Sequence, residues 1–247
     1  MWPFTGFVLA HIVTGTVGLI TFWIVVGTRK GSPAHRYWGK VFSFTMLATG
    51  TIAIAISLST LIDPSGTHPH IADLVLVENI FGWMMLYLAI LTINLAWQGW
   101  LAITNGRDHA KNRAWHNWAL QALLVAASLN CAIRGLVIGQ PLMIGISTIG
   151  FATVATNVWF LMKDVPARHL AINEHIKALV GAGISVYTAF FAFGAVRMMP
   201  DIALNPVLWA VPLVVGLSLI VYHQREVRKR YVPDRNQSPI QTSAQKA

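Results

Sequence analysis

The sequence predicts an all-α integral membrane protein: a bundle of seven transmembrane helices with its N-terminus outside and its C-terminus inside. Three observations lead to this fold class. Of the 247 residues, 55% are hydrophobic and only 11% are charged, whereas a soluble domain carries about twice that charged share. Seven apolar runs are long enough to cross a bilayer, and the basic residues gather on one side of those runs.

The length of the apolar runs predicts the spans, because a helix needs about 20 residues to cross a hydrocarbon core about 30 Å thick. The first run is too long for a signal-peptide core and follows no basic region, so we predict that it is retained. Together the runs predict a single membrane domain, residues 1–231, and a disordered cytoplasmic tail, residues 232–247. The seven runs are Thr5–Gly27, Lys40–Ile62, Leu74–Thr104, His116–Gly139, Leu142–Met162, His175–Met199 and Leu204–His223.

The basic residues predict the orientation of these spans. Sixteen of the 18 Lys and Arg fall in or beside the connections between runs one and two, three and four, and five and six, or after run seven. Since cytoplasmic loops of membrane proteins carry an excess of Lys and Arg, this side is expected to be cytoplasmic. The same pattern accounts for the net charge of +9 without a nucleic-acid partner, and it leaves the lipid bilayer as the expected partner.

Three of the predicted cytoplasmic connections are each followed by a histidine at the start of the next helix. These residues are His35, His116 and His175. Three converging imidazoles could coordinate a metal ion, and two facing imidazoles could take both axial positions of a haem. The alternative is that each histidine only faces the lipid headgroups.

The first span carries a second kind of signal. His11 lies about two turns into the span, and Gly15 and Gly18 follow on the same side of the helix. Such a strip allows close approach of another helix or of a flat ring. His11 is therefore either a ligand or proton relay, or part of a packing strip. An unpaired polar group in the membrane costs several kcal/mol, so we expect a definite partner for His11, with Glu78 as the first choice.

Acidic and histidine residues also cluster between the second and third runs. His68, His70 and Glu78 lie close together in the sequence and, with His11, could hold a divalent metal ion near the outer face. A flexible polar loop is the alternative reading of this segment. Arg134 and Arg197 are expected either to neutralise Glu78 or Asp201, or to bind haem propionates or an anionic headgroup.

Two of the predicted helices carry polar stripes. The third run shows Asn79, Trp83, Tyr87, Asn94 and Trp97 at intervals of one or two turns, and the fourth shows a similar set. Such stripes indicate either facing helices around a polar or cofactor-filled interior, or ordinary hydrogen bonds between helices. The stripe of the fourth run consists of His116, Asn130 and Arg134, with Ser128 and Cys131 close by.

The first hairpin, HIVTGTVGLITFWIVVGTRKGSPAHRYWGKVFSFTML, carries a family resemblance. It resembles the family of predicted bacterial membrane proteins called domain of unknown function 2306, whose hallmark is a His and spaced Gly in one span followed by an HR-x-x-G start to the next. The likeness is best over residues 7–50 and looser over 75–140. It implies a bacterial cytoplasmic (inner) membrane protein and points to His11, His35, Arg36 and Gly39, but the family name implies no activity. The architecture is also loosely similar to that of diheme cytochromes b.

These features favour a protein that binds haem b or a divalent metal ion for electron transfer in the membrane, with an unidentified redox partner. A metal-dependent membrane hydrolase and a proton-coupled small-molecule transporter are the alternatives, and the glycine strips also allow a homodimer. The single Cys131 excludes a disulfide framework. The candidate cofactor-binding residues are His11, His35, Arg36, His116, His175 and Arg134, and the candidate metal ligands are His11, His68, His70 and Glu78.

Overall fold

The structure is a computed structural model that describes residues 2–106, 108–191 and 206–231. Every secondary-structure element among the described residues is a helix, and none of them is a strand. This confirms the predicted all-α class. The predicted tail, Arg197, Asp201 and the end of the sixth predicted run lie outside the described residues. The long helices are α1 (Trp2–Gly27), α2 (Pro33–Ile62), α3 (Leu74–Thr104), α4 (Trp115–Val137), α5 (Pro141–Leu161), α6 (Arg168–Ala189) and α7 (Pro206–Tyr231).

Five of these helices, α1 to α5, are long and apolar enough to cross a membrane. The described parts of α6 and α7 are of similar length but more polar: α6 carries Glu174 and Lys177, and α7 ends in charged turns after His223. Short elements join the long helices, a helical turn at Pro64–Thr67 and a 3-10 helix at His109–Arg113. Successive helices run in opposite directions, so the connections at residues 28–32, 105–114 and 162–167 lie at the same end of the bundle as the last turns of α7. We call this end of the bundle the basic end.

The second helix begins at Pro33, seven residues before the predicted apolar run Lys40–Ile62 and two residues before His35, which was predicted at the helix start. The cause is a local capping motif: the Ser32 side chain accepts a hydrogen bond from the backbone N–H of His35 at 3.1 Å, and Pro33 occupies the first helical position. Gly31 precedes it with a positive φ of 81°, which closes the tight turn from α1. His35 is therefore held in the first turn of α2.

The third helix contains a π-helical segment, Val77–Met84, near its first turns. A π-helix bonds i to i+5 and is often found at functional sites. This spacing brings Glu78 and Trp83 together, since Trp83 Nε1 donates to Glu78 Oε1 at 3.1 Å. An uninterrupted α-helix would place these two side chains on different faces.

Helix α3 lies at the centre of the bundle and packs against α2, α4 and α6, while α1 packs on α2, α5 on α4 and α7 on α6. Its predicted polar stripe points inward: Asn79, Tyr87 and Asn94 are all buried. Gln98, next to the last predicted member Trp97, is also buried. Polar side chains thus line the centre of the bundle over about 28 Å, at about 1.5 Å per residue.

Candidate functional site

A buried ion pair lies in the basic-end half of the bundle. On α6, Lys177 Nζ lies 2.7 Å from Glu174 Oε2 and 2.8 Å from its Oε1, and the side chains are only 20% and 6% exposed. Gln98 of α3 donates to the same carboxylate from Nε2 at 3.1 Å. The two charged residues are three positions apart and face α3 and α5 instead of the lipid.

Amide side chains extend this ion pair across the bundle. Lys177 Nζ also donates to Thr156 Oγ1 and to Asn157 Oδ1 of α5, each at 2.9 Å. Asn157 Nδ2 in turn donates to Asn94 Oδ1 of α3 at 2.9 Å and to Gln121 Oε1 of α4 at 3.2 Å. The result is a network that joins four helices. We call it the Glu174 cluster, which consists of Asn94, Gln98, Gln121, Thr156, Asn157, Glu174 and Lys177.

The two buried charges of the Glu174 cluster are stabilised by each other and by neighbouring polar side chains. Removing two opposite charges from water costs several kcal/mol for each ion, and their attraction offsets this cost only if the remaining polar atoms are also satisfied. Lys177 meets that condition, because its ammonium group has Glu174, Thr156 and Asn157 as acceptors. A neutral side chain at position 174 would leave Lys177 with only the oxygens of Thr156 and Asn157 as acceptors.

Histidines gather at the basic end beside this cluster. His175, next to Glu174 in sequence, interacts electrostatically with His35 of α2 and with Lys30 of the α1–α2 turn. His223 of α7 interacts with the same two residues. Lys30, His35, His175 and His223 thus come from four parts of the chain, and we call them the histidine cluster. The prediction that His35 and His175 lie within reach of a common ligand stays a prediction.

Hydrogen bonds fix the ring of His175. Its Nδ1 lies 2.9 Å from the carbonyl oxygen of Gly99 on α3. Since a carbonyl oxygen only accepts, Nδ1 carries the hydrogen, and Nε2 of the neutral ring keeps its lone pair. His35 Nδ1 lies 3.4 Å from Thr28 Oγ1. Adjacent residues of α6, Glu174 and His175, therefore bond to adjacent residues of α3, Gln98 and Gly99.

The third predicted member of this set lies elsewhere. His116 is exposed, with its ring against Trp115, so it does not join His35 and His175. Its place in the cluster is taken by His223, which the sequence analysis did not select. Arg36 is exposed on the first turn of α2. His116 differs from His35 and His175 because a similar position at the start of a helix does not specify which side of that helix faces the bundle.

A second polar site lies near the opposite end of α3. Arg134 Nη1 of α4 donates to Glu78 Oε1 at 3.3 Å and to Asn79 Oδ1 at 3.1 Å, while its Nε donates to Asn130 Oδ1 at 3.2 Å. The guanidinium lies 4.3 Å from the centre of the Trp83 ring, a cation–π contact. The predicted neutralisation of Glu78 by Arg134 is confirmed. We call these five residues the Glu78 site.

The structure corrects the expected partner of His11. Glu78 bonds to Trp83 and Arg134, whereas His11 lies beside the backbone carbonyl of Thr49, and its buried Nδ1 has no hydrogen-bond partner. The strip formed by His11, Gly15 and Gly18 packs on α2: an added Cβ at Gly15 would lie 4.0 Å from Thr49 Cγ2, and one at Gly18 would overlap Met46. The strip therefore serves close packing of α1 on α2.

The predicted outer metal ligands are not brought together either. His68 stacks on Phe81 with ring centres 4.5 Å apart, and His70 is exposed. Glu78 is occupied by Arg134. Within residues 2–106, 108–191 and 206–231, no group of three His, Cys, Asp or Glu side chains is placed to hold a metal ion. The four residues His11, His68, His70 and Glu78 thus do not form one site.

The polar stripe predicted for α4 is confirmed in part. Ser128 and Cys131 are fully buried, and Asn130 supports Arg134, whereas His116 at the start of the helix is exposed. The sequence analysis missed the Glu174–Lys177 pair, because Lys177 was assigned to the topology signal. An acid and a base three positions apart inside an apolar helix is the pattern that would have found the pair.

Comparison with protein-family models, with curated proteins and with solved structures finds no match to this chain. The assignment of function therefore depends on the two polar sites and the histidine cluster. The family resemblance of the first hairpin stays an expectation.

Proposed function

We propose that this chain is a seven-helix protein of the bacterial cytoplasmic membrane, with its N-terminus outside and its C-terminus inside, that acts as a proton-coupled transporter of a small solute. The observation that carries the proposal is the buried Glu174–Lys177 ion pair of α6, which belongs to a network with amide side chains from three other helices. Ionisable residues inside a membrane are costly, and they commonly mark ion pathways and proton relays.

The histidine cluster supplies a route for protons to this ion pair. His175 adjoins Glu174, and His35 and His223 lie within electrostatic range of Lys30 near the basic end. An imidazole can accept a proton on one ring nitrogen and release it from the other. Protonation of Glu174 would then release Lys177 from the ion pair and loosen the contacts that join α6 to α3 and α5. Such a two-state element is what coupling of a proton to solute movement requires.

The Glu78 site supports the same proposal from the other half of the membrane. It includes residues of α3, the helix that also carries Asn94 and Gln98, and it contains a partly exposed ion pair, Glu78 with Arg134. Its π-helical backbone is a segment that can change its hydrogen-bond register. The two ion pairs are separated by about 28 Å along α3 at about 1.5 Å per residue, so each would serve one face of the membrane.

Proton flux in proteoliposomes tests this proposal. The full chain is reconstituted with a pH-sensitive dye inside, and a panel of amino acids, sugars, organic acids and inorganic ions is added outside under a pH gradient. We expect at least one solute to drive proton movement in the wild type and not in Glu174→Gln. Asp164→Asn removes a carboxylate that is 98% exposed and should leave the flux unchanged. Proton movement identical to that in empty liposomes for every solute would reject the proposal.

Electron transfer through haem is the second candidate, and the His175 ring is the observation that favours it. Ligand histidines usually donate their other ring N–H to a carbonyl or carboxylate, as His175 does to Gly99. His35 and His175 fit axial ligands by residue type, and Lys30 fits a propionate partner. Haem bound there would supply one-electron transfer. The described cavities, each of about 180 Å³, are lined by other residues. A Soret absorption band in the purified protein, lost in His175→Ala, would select this function.

A further inference from the structure

An apolar cleft lies between α1, α6 and α7, one to two helical turns from the histidine cluster. Its volume is about 180 Å³. Along α7 it runs from Val211 to Leu219, about 12 Å at about 1.5 Å per residue, and Leu219 is one turn from His223. On α1 its walls are Phe22 and Trp23, two turns from Lys30.

The lining of the cleft is apolar and largely aromatic. Its lining contains the side chains of Phe22, Trp23 and Tyr187, together with Val215 and Leu219. The one hydroxyl among these five residues is already used, because Tyr187 Oη donates to the carbonyl oxygen of Leu19 at 2.8 Å. These walls match the surface of a hydrocarbon chain and provide no hydrogen-bonding group for a polar solute.

The end of the cleft nearest His223 is basic. Lys30 Nζ donates to the carbonyl oxygens of Val25 and Val26 at 3.0 and 2.8 Å, which places the ammonium group over the end of α1. Partial burial lowers the pKa of Lys30. Glu226 is in electrostatic contact with this cluster through His223, and it is itself paired with Lys229 at 2.9 Å.

We propose that this cleft binds one anionic phospholipid of the inner leaflet, with its phosphate at Lys30, His35 and His223 and an acyl chain between α1 and α7. A soluble anion would bind to the basic side chains but would not contact the apolar walls. A neutral lipid would contact the apolar walls but would not pair with the basic side chains. A phosphate carried on an acyl chain satisfies both, because basic side chains at the inner membrane surface attract anionic headgroups.

This inference rests on the proposed orientation, which places the basic end at the inner leaflet, and its phosphate site shares residues with the proposed proton route. The five lining residues named above are not members of the Glu174 cluster. Lipid binding can be measured without a pH gradient or a solute, so failure of the transport proposal and failure of the lipid proposal give different results.

The test is native mass spectrometry of the full chain in detergent, titrated with phosphatidylglycerol or with phosphatidylcholine of the same acyl chains. We expect one phosphatidylglycerol to bind in preference to phosphatidylcholine. Lys30→Gln combined with His223→Gln should weaken phosphatidylglycerol binding at least about fivefold, the effect of removing one basic group from an anionic surface. Lys111→Gln, an exposed base at the same end, should not change it.

A second pair of variants tests the cleft itself. Val215→Trp fills the cleft and should exclude the lipid, whereas Val214→Trp adds the same ring on an exposed position outside the lining and should not. Equal binding of the two lipids would mean that the cleft accepts any acyl chain, and displacement of phosphatidylglycerol by inorganic phosphate alone would mean a soluble-anion site. Either result would overturn the proposal. Unchanged phosphatidylglycerol binding in the variant Lys30→Gln with His223→Gln would also overturn it. That variant alters only exposed or half-buried side chains, so its result does not depend on whether Val215→Trp folds.

Discussion

At the scale of single residues, the chemistry of this protein is concentrated in charged and amide side chains that have specific partners. Glu174 and Lys177 bond to one another and to side chains of two other helices. Near the other end of α3, Glu78 and Arg134 bond to one another and to side chains of their own two helices, α3 and α4. By contrast, buried polar atoms of His11 and Thr49 lack a hydrogen-bond partner at the contact of α1 with α2. Such unsatisfied groups cost stability, so this contact is held mainly by close packing.

The Glu174–Lys177 pair should be strongly coupled in a stability measurement. Lys177→Met leaves the carboxylate of Glu174 buried without its cation, and we expect a loss of about 3 kcal/mol in the free energy of unfolding. Adding Glu174→Gln removes the unpaired charge and should restore most of that loss. Thermal unfolding of the single and double variants in detergent measures the coupling. A double variant less stable than Lys177→Met would contradict a paired role.

His109 should make stability depend on pH. It is buried, and its Nδ1 accepts from Asn112 Nδ2 at 3.1 Å. Burial and the Arg113 charge hold the pKa of His109 below its ordinary value of 6.5. The unfolded chain therefore binds more protons than the folded one once the pH falls below 6.5, so stability decreases as the pH decreases from there towards the folded pKa.

The measurement for His109 is the unfolding temperature between neutral and acidic pH. His109→Asn keeps an acceptor for Asn112 and does not titrate, so its stability should decline less in acid than that of the wild type. The exposed His70 provides the control, since His70→Asn should keep the wild-type profile. Parallel profiles for His109→Asn and the wild type would show that His109 does not cause the acid sensitivity.

At the scale of the elements, small residues and one irregular segment determine how closely the helices pack. The π-helical part of α3 brings Glu78 and Trp83 to one face. On α5, Gly150 allows the helix to approach α3 and α4, because a Cβ there would overlap Ser128 Oγ and lie 2.9 Å from the Tyr87 ring. Tyr87 is 1% exposed and donates to the carbonyl oxygen of Ile146 at 2.6 Å. The α3–α5 contact thus depends on a missing side chain.

Gly150→Ala should therefore destabilise the bundle by about 1–3 kcal/mol, the usual cost of overpacking a tight interior. Gly145 lies on the same helix, and an added Cβ there meets nothing within 4 Å. Gly145→Ala should be neutral or stabilising by up to about 1 kcal/mol, because alanine favours the helix. Thermal unfolding of the two variants decides between a packing role and a general effect of helix propensity. Equal effects at both positions would contradict the packing argument.

At the scale of the whole molecule, charge separates the two ends of the bundle. The basic end contains Lys30, Lys111, Arg113 and Lys163 in connections between helices, and the other end contains the connection with Asp63 and Asp73. The proposed orientation, with the N-terminus outside and the C-terminus inside, rests on this asymmetry. The structure shows five helices that are apolar enough to span the membrane, so the two remaining crossings are part of the proposal.

Reporter fusions test this topology. A reporter fused after Ala247 should report a cytoplasmic location, and one inserted in the connection between Asp63 and Asp73 should report the outside, because basic loops are retained in the cytoplasm. A fusion within residues 162–167, beside Lys163, should agree with the C-terminal one. A cytoplasmic signal from the Asp63–Asp73 insertion would reject the seven-helix arrangement.

Much of the fold could be predicted from the sequence because its signals are local. Apolar runs must be helical in a bilayer, since backbone polar groups have no water to bind there, and the polar stripe of α3 has to face other helices. The pairing of Glu78 with Arg134 was also predictable, because both charges lie near the same end of apolar helices and neither can remain alone in the membrane.

Only the tertiary structure decided which histidines meet and which charges pair. His35, His116 and His175 look equivalent in sequence, yet His116 is exposed and His223 joins the other two. The rotation of each helix about its axis, and the neighbours it packs against, depend on packing summed over its whole length, which no short motif records. For the same reason Lys177, at the margin of a basic segment, points inward to Glu174, Thr156 and Asn157: the bundle interior provides acceptors that lipid does not.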